Sequence, residues 1–260
     1  ACPWWGCRRS CGTYTWGDHA RGVHCPGDRS RRGTGRAART MIPRFWDWED
    51  YFDPETYDPD AESGTLRNLL GIRDPEVLRQ VEYDVVKLRE RELREGETEV
   101  PRTCGVDHLL SIHGYLFQDV YEWAGQFRTV NISKGWSRFA DCGDGGIENY
   151  LGSAQYAATE LRWGELDRER FGAAAALVFA YLNHAHPFRD GNGRATRVFM
   201  QHVAERSRFD LDFTRVDPEL WNYASSLSAP QIGGGEPDPD PLIGVFQECA
   251  MERSKPLWWS

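Results

Sequence analysis

The chain has 260 residues, 40% of them hydrophobic, and a net charge of −9 at pH 7. This length and composition allow one domain with extensions, or two small domains, to bury a hydrophobic core. The apolar stretches are too short to span a bilayer, and the N-terminus lacks the unbroken apolar segment of a signal peptide. We therefore expect a cytoplasmic protein without a membrane partner.

Residues 1–40 differ in charge from the rest of the chain. They hold eight arginines, no lysine, two aspartates and no glutamate, a balance of +6, whereas the other 220 residues carry −15. The first methionine is Met41, so we expect 1–40 to be a disordered or non-native extension and 41–60 to form an N-terminal arm. Nucleic-acid binding through these arginines is the alternative, and we do not expect it to be the function.

Two helices are predicted in the first part of the main domain. Asp74 and Pro75 form a capping residue followed by a first-turn proline, which starts a helix. Its apolar residues are Val77, Leu78, Val81, Val85 and Leu88. A second helix is predicted from about Asp107 to Tyr121, with an apolar stripe of Leu109, Ile112, Leu116 and Val120. We interpret His108 and His113 on this helix as structural.

A short hairpin is predicted next. Residues 127–133 alternate apolar and polar side chains, and Gly135 can supply a turn before 136–139. Helices follow around Ile147–Leu161 and over the apolar run 171–182. Two more are predicted, one from Asp217 with Leu220, Tyr223 and Leu227 on its apolar side, and a last one near 242–253. The fold class is therefore all-α with one small hairpin.

The segment His186–Arg197 places chemically useful groups within twelve residues. A histidine that can act as a base is followed by Asp190, by a loop with two glycines, and by two arginines. Pro187 prevents the preceding helix from continuing, so the chain must turn. The following helix would start at the loop, and its N-terminus favours an anion. The segment predicts a phosphate-binding site.

The residues of this segment resemble the signature of the Fic-domain family, His-Pro-Phe-x-Asp/Glu-Gly-Asn-Gly/Lys-Arg-x-x-Arg, at every fixed position. The similarity extends upstream through 66–75, 108–125 and 127–135. The chain is thus identified as a member, with a Fic domain over 61–253 and a tail over 254–260. A zinc site using His184 and His186 is the alternative, but no third ligand has a recognisable spacing.

The resemblance implies an enzyme that transfers AMP from ATP to a Tyr, Thr or Ser hydroxyl of another protein. His186 would be the catalytic base, and Asp190 would hold Mg²⁺ between the α- and β-phosphates. Nucleotide binding would further involve Gly191, Asn192, Gly193, Arg194 and Arg197, the glycine-bracketed loop acting through backbone N–H groups and the arginines on the β- and γ-phosphates.

The predicted hairpin resembles the flap of this family, which pairs with an extended segment of the target protein. The target would dock along about Ile132 to Phe139. Lys134 and Gly135 lie where the flap would approach the nucleotide, and contact with ATP is expected there. As an alternative, Lys134 is an ordinary charge that protects a strand edge.

Regulation is predicted from an absent motif. Family members are commonly inhibited by a helix bearing Ser/Thr-x-x-x-Glu, whose glutamate pairs with the second arginine of the signature, and no Ser or Thr of this chain has Glu four residues later. The chain thus resembles the toxin of a toxin–antitoxin pair, in which a small antitoxin would supply a glutamate to Arg197. A divergent internal inhibitor and an unregulated enzyme stay open.

Two further functions stay open. A protein kinase of the Doc type shares the fold, but its motif carries Ala and Lys where this chain has Gly191 and Gly193. A non-catalytic binding module with a vestigial site is the other alternative, and the intact His186, Asp190 and Arg194 argue against it.

Overall fold

The structure, a computed structural model, describes residue 45 and residues 47–134, 137–143, 145–230 and 235–253. The α-helices in these ranges are α1 Pro75–Glu95, α2 Val106–Phe117, α3 Gly146–Glu160, α4 Arg168–Ala185, α5 Asn192–Ala204, α6 Pro218–Leu227 and α7 Asp240–Cys249. The strands are β1 Ser133–Lys134, β2 Ser137–Arg138, β3 Phe209–Leu211 and β4 Ala250–Glu252. None of the described helices is long and apolar enough to cross a bilayer.

Helix α4 lies at the centre of the fold. It packs against α3, α5 and α7, and most of its residues are buried. Small side chains allow this close packing, since a Cβ at Gly172 would overlap the side chain of Gln247 on α7. The predicted buried helix over 171–182 is confirmed, and α4 therefore fixes the position of the loop that follows it.

Helix α1 begins where the sequence predicts. The Asp74 carboxylate accepts the N–H groups of Glu76 and Val77, and Pro75 occupies the first helical position. The helix ends at Gly96, whose φ of +72° is left-handed.

The buried residues of α1 match its apolar residues only in part. Val77 and Leu88 are exposed, whereas the buried residues are Leu78, Glu82, Val86 and Leu93. A carboxylate thus replaces an apolar residue in the middle of the buried stripe. The apolar residues alone therefore do not identify the buried face, because Glu82 is charged and has polar partners inside the fold.

Helix α2 is shorter than predicted. It begins after Gly105, without a side-chain cap, and ends at Phe117 rather than near Tyr121. The residues of the predicted stripe are all buried, including Val120 in the turn that follows. The apolar spacing therefore identified the buried face, while the end of the helix depends on the turn from 117 to 121.

Two small antiparallel sheets accompany the helices. Strands β1 and β2 form the predicted hairpin, with Ser133 opposite Arg138 and Lys134 opposite Ser137. The predicted first strand over 127–133 was wrong in extent, because β1 covers only Ser133–Lys134 and the guanidinium of Arg128 binds backbone carbonyls of other segments. Strands β3 and β4 form a second sheet, in which Leu211 lies opposite Ala250. The predicted last helix to about 253 was wrong at its end, because the chain leaves the helix at Cys249 to pair with β3.

Helix α6 also begins at the predicted residues, but its predicted apolar side faces solvent. Leu220, Tyr223 and Leu227 are exposed, while Ala224 is buried. Trp221 makes the main aromatic contact of the helix, with its ring 4.9 Å from that of Phe179 on α4. The spacing of the apolar residues therefore predicted the helix correctly but indicated the wrong face as the buried one.

A pair of buried histidines joins α2 to α5. His108 Nε2 and His202 Nδ1 are 2.9 Å apart, and His108 Nδ1 accepts the N–H of Cys104. His108 therefore donates through Nε2 to His202, and both rings are neutral. Burial, with a smaller effect of Arg102, lowers the pKa of His108 to about 4 and that of His202 to about 3.

Because of these two histidines, we expect the free energy of unfolding to fall in mild acid. Both pKa values in the folded protein lie below the unfolded value of about 6.5. As the pH falls from about 7, the unfolded chain therefore binds more protons than the folded one. The contribution of the two neutral histidines to the free energy of unfolding is fully present above the unfolded pKa. It is lost towards pH 5, by up to about 1.4 kcal/mol per pH unit for each histidine. Urea unfolding between pH 7.5 and 5 measures how the free energy of unfolding changes with pH, which gives the number of protons taken up on unfolding. The His202→Gln variant should take up fewer protons than the parent, by up to one. An equal slope in both proteins would contradict the assignment.

Candidate active site

The candidate base His186 caps the C-terminus of α4. Its backbone is left-handed, with φ of +40°, and its N–H donates to the carbonyl of Leu182 at 3.1 Å. Pro187 follows at once and ends the helix. The predicted position of His186 at the end of this helix is confirmed.

The buried side chain of Arg128 holds this turn in place. Its Nε donates to the carbonyl of His186 at 2.9 Å, and its other guanidinium nitrogens donate to the carbonyls of Val130 and Ala140. The backbone N–H of Arg128 donates to Pro187 at 2.8 Å. Burial lowers the pKa of Arg128. A single cation therefore joins the segment before the flap, the segment after it and the end of α4.

The imidazole of His186 is held from two sides. The ring of Phe139, at the end of the predicted flap, stacks on it at 3.7 Å between centroids and 12° between planes. His186 Nδ1 lies 3.3 Å from the carbonyl of Asn183. Because a carbonyl can only accept, Nδ1 carries the proton, and Nε2 carries the lone pair that a general base requires.

The loop between α4 and α5 is fixed from inside the core. The buried ring of Phe188 stacks on His113 at 3.7 Å, and the Asn192 amide accepts from the N–H and donates to the carbonyl of Phe188. His113 accepts the Gly125 N–H at Nδ1 and donates from Nε2 to the carbonyl of Asp190. Burial lowers the pKa of His113 to about 3, so this histidine is a neutral structural residue.

Helix α5 begins directly after a left-handed glycine. Gly191 has φ of +77°, and a Cβ at this position would overlap the ring of Phe117. No side chain caps the helix, so the first N–H groups, at Asn192 and Gly193, point out of its N-terminus without an intrahelical acceptor. This end of α5 is suited to bind an anion.

Arg194 lies beside this helix N-terminus in a defined position. Its guanidinium forms an ion pair with Glu82 and lies 4.7 Å above the centroid of the Phe117 ring. The hydroxyl of Tyr121 donates to the same glutamate. The other end of the guanidinium faces Asp190, at 3.8 Å from Oδ1. Glu82 thus orients Arg194 and leaves one edge turned towards the loop.

The remaining predicted site residues differ in how they are held. Arg197 is exposed and forms no ion pair with a described residue, one turn after the half-buried Arg194. The Asp190 carboxylate is half exposed and accepts the N–H of Gly191 at 2.5 Å. The backbone of Lys134 belongs to β1, while Gly135 lies outside the described residues.

A cavity of about 550 Å³ lies next to these groups, between α1 and the loop. It is lined by Thr65, Leu66, Leu78, Glu82, Tyr83, Tyr121, Asp190 and Arg194, among others. Asp190 and Arg194 therefore face an open space, and the site is accessible to a ligand from the side of α1.

Comparison with known proteins identifies the family. Residues 103–204 match the model of the Fic/DOC family. VbhT, a protein adenylyltransferase of Bartonella schoenbuchensis, is 38% identical over 179 residues, which are 68% of this chain and 36% of VbhT. The "Probable protein adenylyltransferase Fic" of Salmonella typhimurium is 33% identical over 188 residues, which are 72% of this chain and 88% of that protein. The chain belongs to the Fic/DOC family.

A solved structure has the same fold. It is the ADP-bound N-terminal Fic domain of a VirB-translocated Bep effector protein from Bartonella quintana. The TM-score is 0.67 at 28% identity, over 79% of this chain and 96% of that one. The predicted all-α Fic fold with a small hairpin is confirmed.

Sequence reasoning missed two residues that organise the site. Glu82 could have been found as a carboxylate at the four-residue spacing of Leu78 and Val86. Arg128 had a weaker signal, a single cation within the alternating run 127–133. Neither signal identifies the group that the side chain contacts, since the partners are far apart in the sequence, as Glu82 and Arg194 are.

Gly191 and Gly193 provide a matched test of the loop geometry. Gly191→Ala forces an alanine into a left-handed conformation and against Phe117, so we expect the free energy of unfolding to fall by about 2 to 4 kcal/mol. Gly193→Ala adds a Cβ into open space within a helix, so we expect equal or greater stability. Chemical denaturation measures both. An equal decrease in the free energy of unfolding of the two variants would contradict the described conformation of the loop.

Proposed function

We propose that the chain is a protein adenylyltransferase, which transfers AMP from ATP to the hydroxyl of a Tyr, Thr or Ser residue of a target protein. One observation carries the proposal: a histidine with its Nδ1 proton donated to Asn183 stands one loop away from the uncapped N-terminus of α5. A base for a hydroxyl and a site for an anion are thus adjacent. VbhT is itself named a protein adenylyltransferase, and the B. quintana domain binds ADP.

The proposed reaction is a single displacement at phosphorus. His186 Nε2 accepts the proton of the target hydroxyl as its oxygen attacks the α-phosphorus. The new oxygen–phosphorus bond forms while the bond to the oxygen bridging the α- and β-phosphorus breaks, and pyrophosphate leaves. The imidazolium then returns its proton to solvent. The left-handed turn at His186 and the stacking of Phe139 orient the ring for this step.

The phosphates would be bound by the loop and the start of α5. The N–H groups of Gly191, Asn192 and Gly193 and the positive end of the helix dipole would hold phosphate oxygens. Arg194, oriented by Glu82, would bind the β- and γ-phosphates, and the exposed Arg197 would bind the γ-phosphate. Lys134 and Gly135 are proposed to approach the nucleotide from the flap.

The donor groups also fit Mg²⁺. This ion typically takes one or two carboxylates together with phosphate and water, and Asp190 is a half-exposed carboxylate beside the proposed phosphate site. Asp190 would hold the ion, which neutralises phosphate charge when bound. The N–H of Gly191 keeps one carboxylate oxygen oriented towards the loop.

We propose that the target docks on the flap, about Ile132 to Phe139. A two-stranded sheet leaves strand edges with which an extended segment can pair through backbone hydrogen bonds. Because Phe139 stacks on His186, a hydroxyl presented along this flap would lie near the candidate base.

We further propose that the chain is the toxin of a toxin–antitoxin pair acting in the cytoplasm. The exposed guanidinium of Arg197 has no carboxylate partner among the described residues. A glutamate supplied by a small antitoxin would pair with it and obstruct the γ-phosphate.

Labelled ATP distinguishes the open functions. The protein and its His186→Ala variant are incubated with Mg²⁺ and a cell lysate, with ATP labelled at either the α- or the γ-phosphate. We expect protein label from the α-phosphate only, reduced by at least about 100-fold in the variant because a general base contributes about 10² to 10⁴.

Binding of ADP is the control for this experiment. The His186→Ala variant should bind ADP as the parent does, since the phosphate site lies on the loop and α5. Label from the γ-phosphate alone would assign the chain to the kinases instead. Absence of both labels from a parent that binds ADP would contradict adenylyl transfer to proteins of that lysate.

A further inference from the structure

Arg189 occupies the variable position of the family signature, yet its side chain is enclosed by aromatic rings. Its guanidinium lies 4.1 Å from the ring centroid of Trp48, 5.6 Å from that of Tyr51 and 5.3 Å from that of Phe52. Its Nε is buried and has no hydrogen-bond partner among the described residues. The π faces of these rings therefore stabilise the cation.

The three aromatic residues belong to one N-terminal segment, which has its own contacts with the domain. The indole N–H of Trp48 donates to the carbonyl of Glu62 at 2.6 Å, and Tyr51 and Phe52 are buried. The Tyr51 hydroxyl lies 3.2 Å from that of Thr129, one residue after the buried Arg128. The aromatic cage, Trp48 with Tyr51 and Phe52, thus has contacts with the domain that do not involve Arg189.

The neighbours of Arg189 in the loop are anchored elsewhere. Phe188 stacks on His113, and the carbonyl of Asp190 accepts from the same histidine. The guanidinium of Arg189 lies instead in the aromatic cage. The backbone around Asp190 is therefore held by two sets of contacts, one made by His113 of α2 and one made by the N-terminal segment.

We propose that Arg189 is a positioning residue for nucleotide binding, which couples the aromatic cage to Asp190 and to the N-terminus of α5. The inference rests on the proposed function for its catalytic consequence only. The N-terminal segment would then act on nucleotide binding through Arg189 and the loop. Loss of the cation should loosen the loop and weaken ADP binding.

The test compares Arg189→Met with Arg189→Lys. Methionine retains most of the length without the charge, so ADP affinity measured by calorimetry should fall about tenfold, while lysine should restore part of it. The KM for ATP should rise similarly, with kcat at saturating ATP changed less than about twofold. Arg162→Met removes an exposed arginine and is the matched control. ADP affinity equal in all four proteins would overturn the proposal.

A double-mutant cycle tests the coupling itself. Trp48→Leu retains an apolar side chain but removes the π face nearest the cation. The double variant, Trp48→Leu with Arg189→Met, should bind ADP no more weakly than Arg189→Met alone. The rate of amide hydrogen exchange of residues 186–194 should rise equally in these two variants. Additive losses would show that the two residues act separately and would overturn the proposal. The ADP-affinity and hydrogen-exchange measurements need no target protein, so their outcome is independent of AMP transfer.

Discussion

The buried guanidinium of Arg128 is the contact on which the active site depends. A helix that ends inside a protein leaves carbonyls without partners, and a buried carbonyl without a partner destabilises the fold. Arg128 binds the carbonyls of His186 and of both flanks of the hairpin, so the same cation binds the end of α4 and attaches the flap. The candidate base, the flap that would present a substrate and the start of the phosphate loop thus share one anchor.

Around this anchor the loop is held by residues of α1 and α2. His113 from α2 supports Phe188 and Asp190 from the core, Phe117 packs against Gly191, and Glu82 from α1 orients Arg194. Such a loop has little freedom to lose when an anion binds. In physical terms the site is preorganised, and the positive charge of Arg194 is fixed near the helix dipole.

The local part of this arrangement could be predicted from the sequence. Pro187, the two glycines and the arginines of the signature lie within one segment, and their conformational preferences determine a turn followed by a helix N-terminus. The Glu82–Arg194 pair could not be predicted, because a charge on a buried face finds its partner only through tertiary packing. The same limit explains α6, where the spacing of Leu220, Tyr223 and Leu227 predicted the helix but the packing of Trp221 selected the face.

Crystal structures of the protein alone and with Mg²⁺ and ADP would test this preorganised site most directly. We expect the same backbone over residues 186–194 in both, within about 1 Å, with a phosphate on the N-terminal N–H groups of α5 beside Arg194. A loop that folds into this conformation only with nucleotide, or a phosphate bound away from the start of α5, would contradict it.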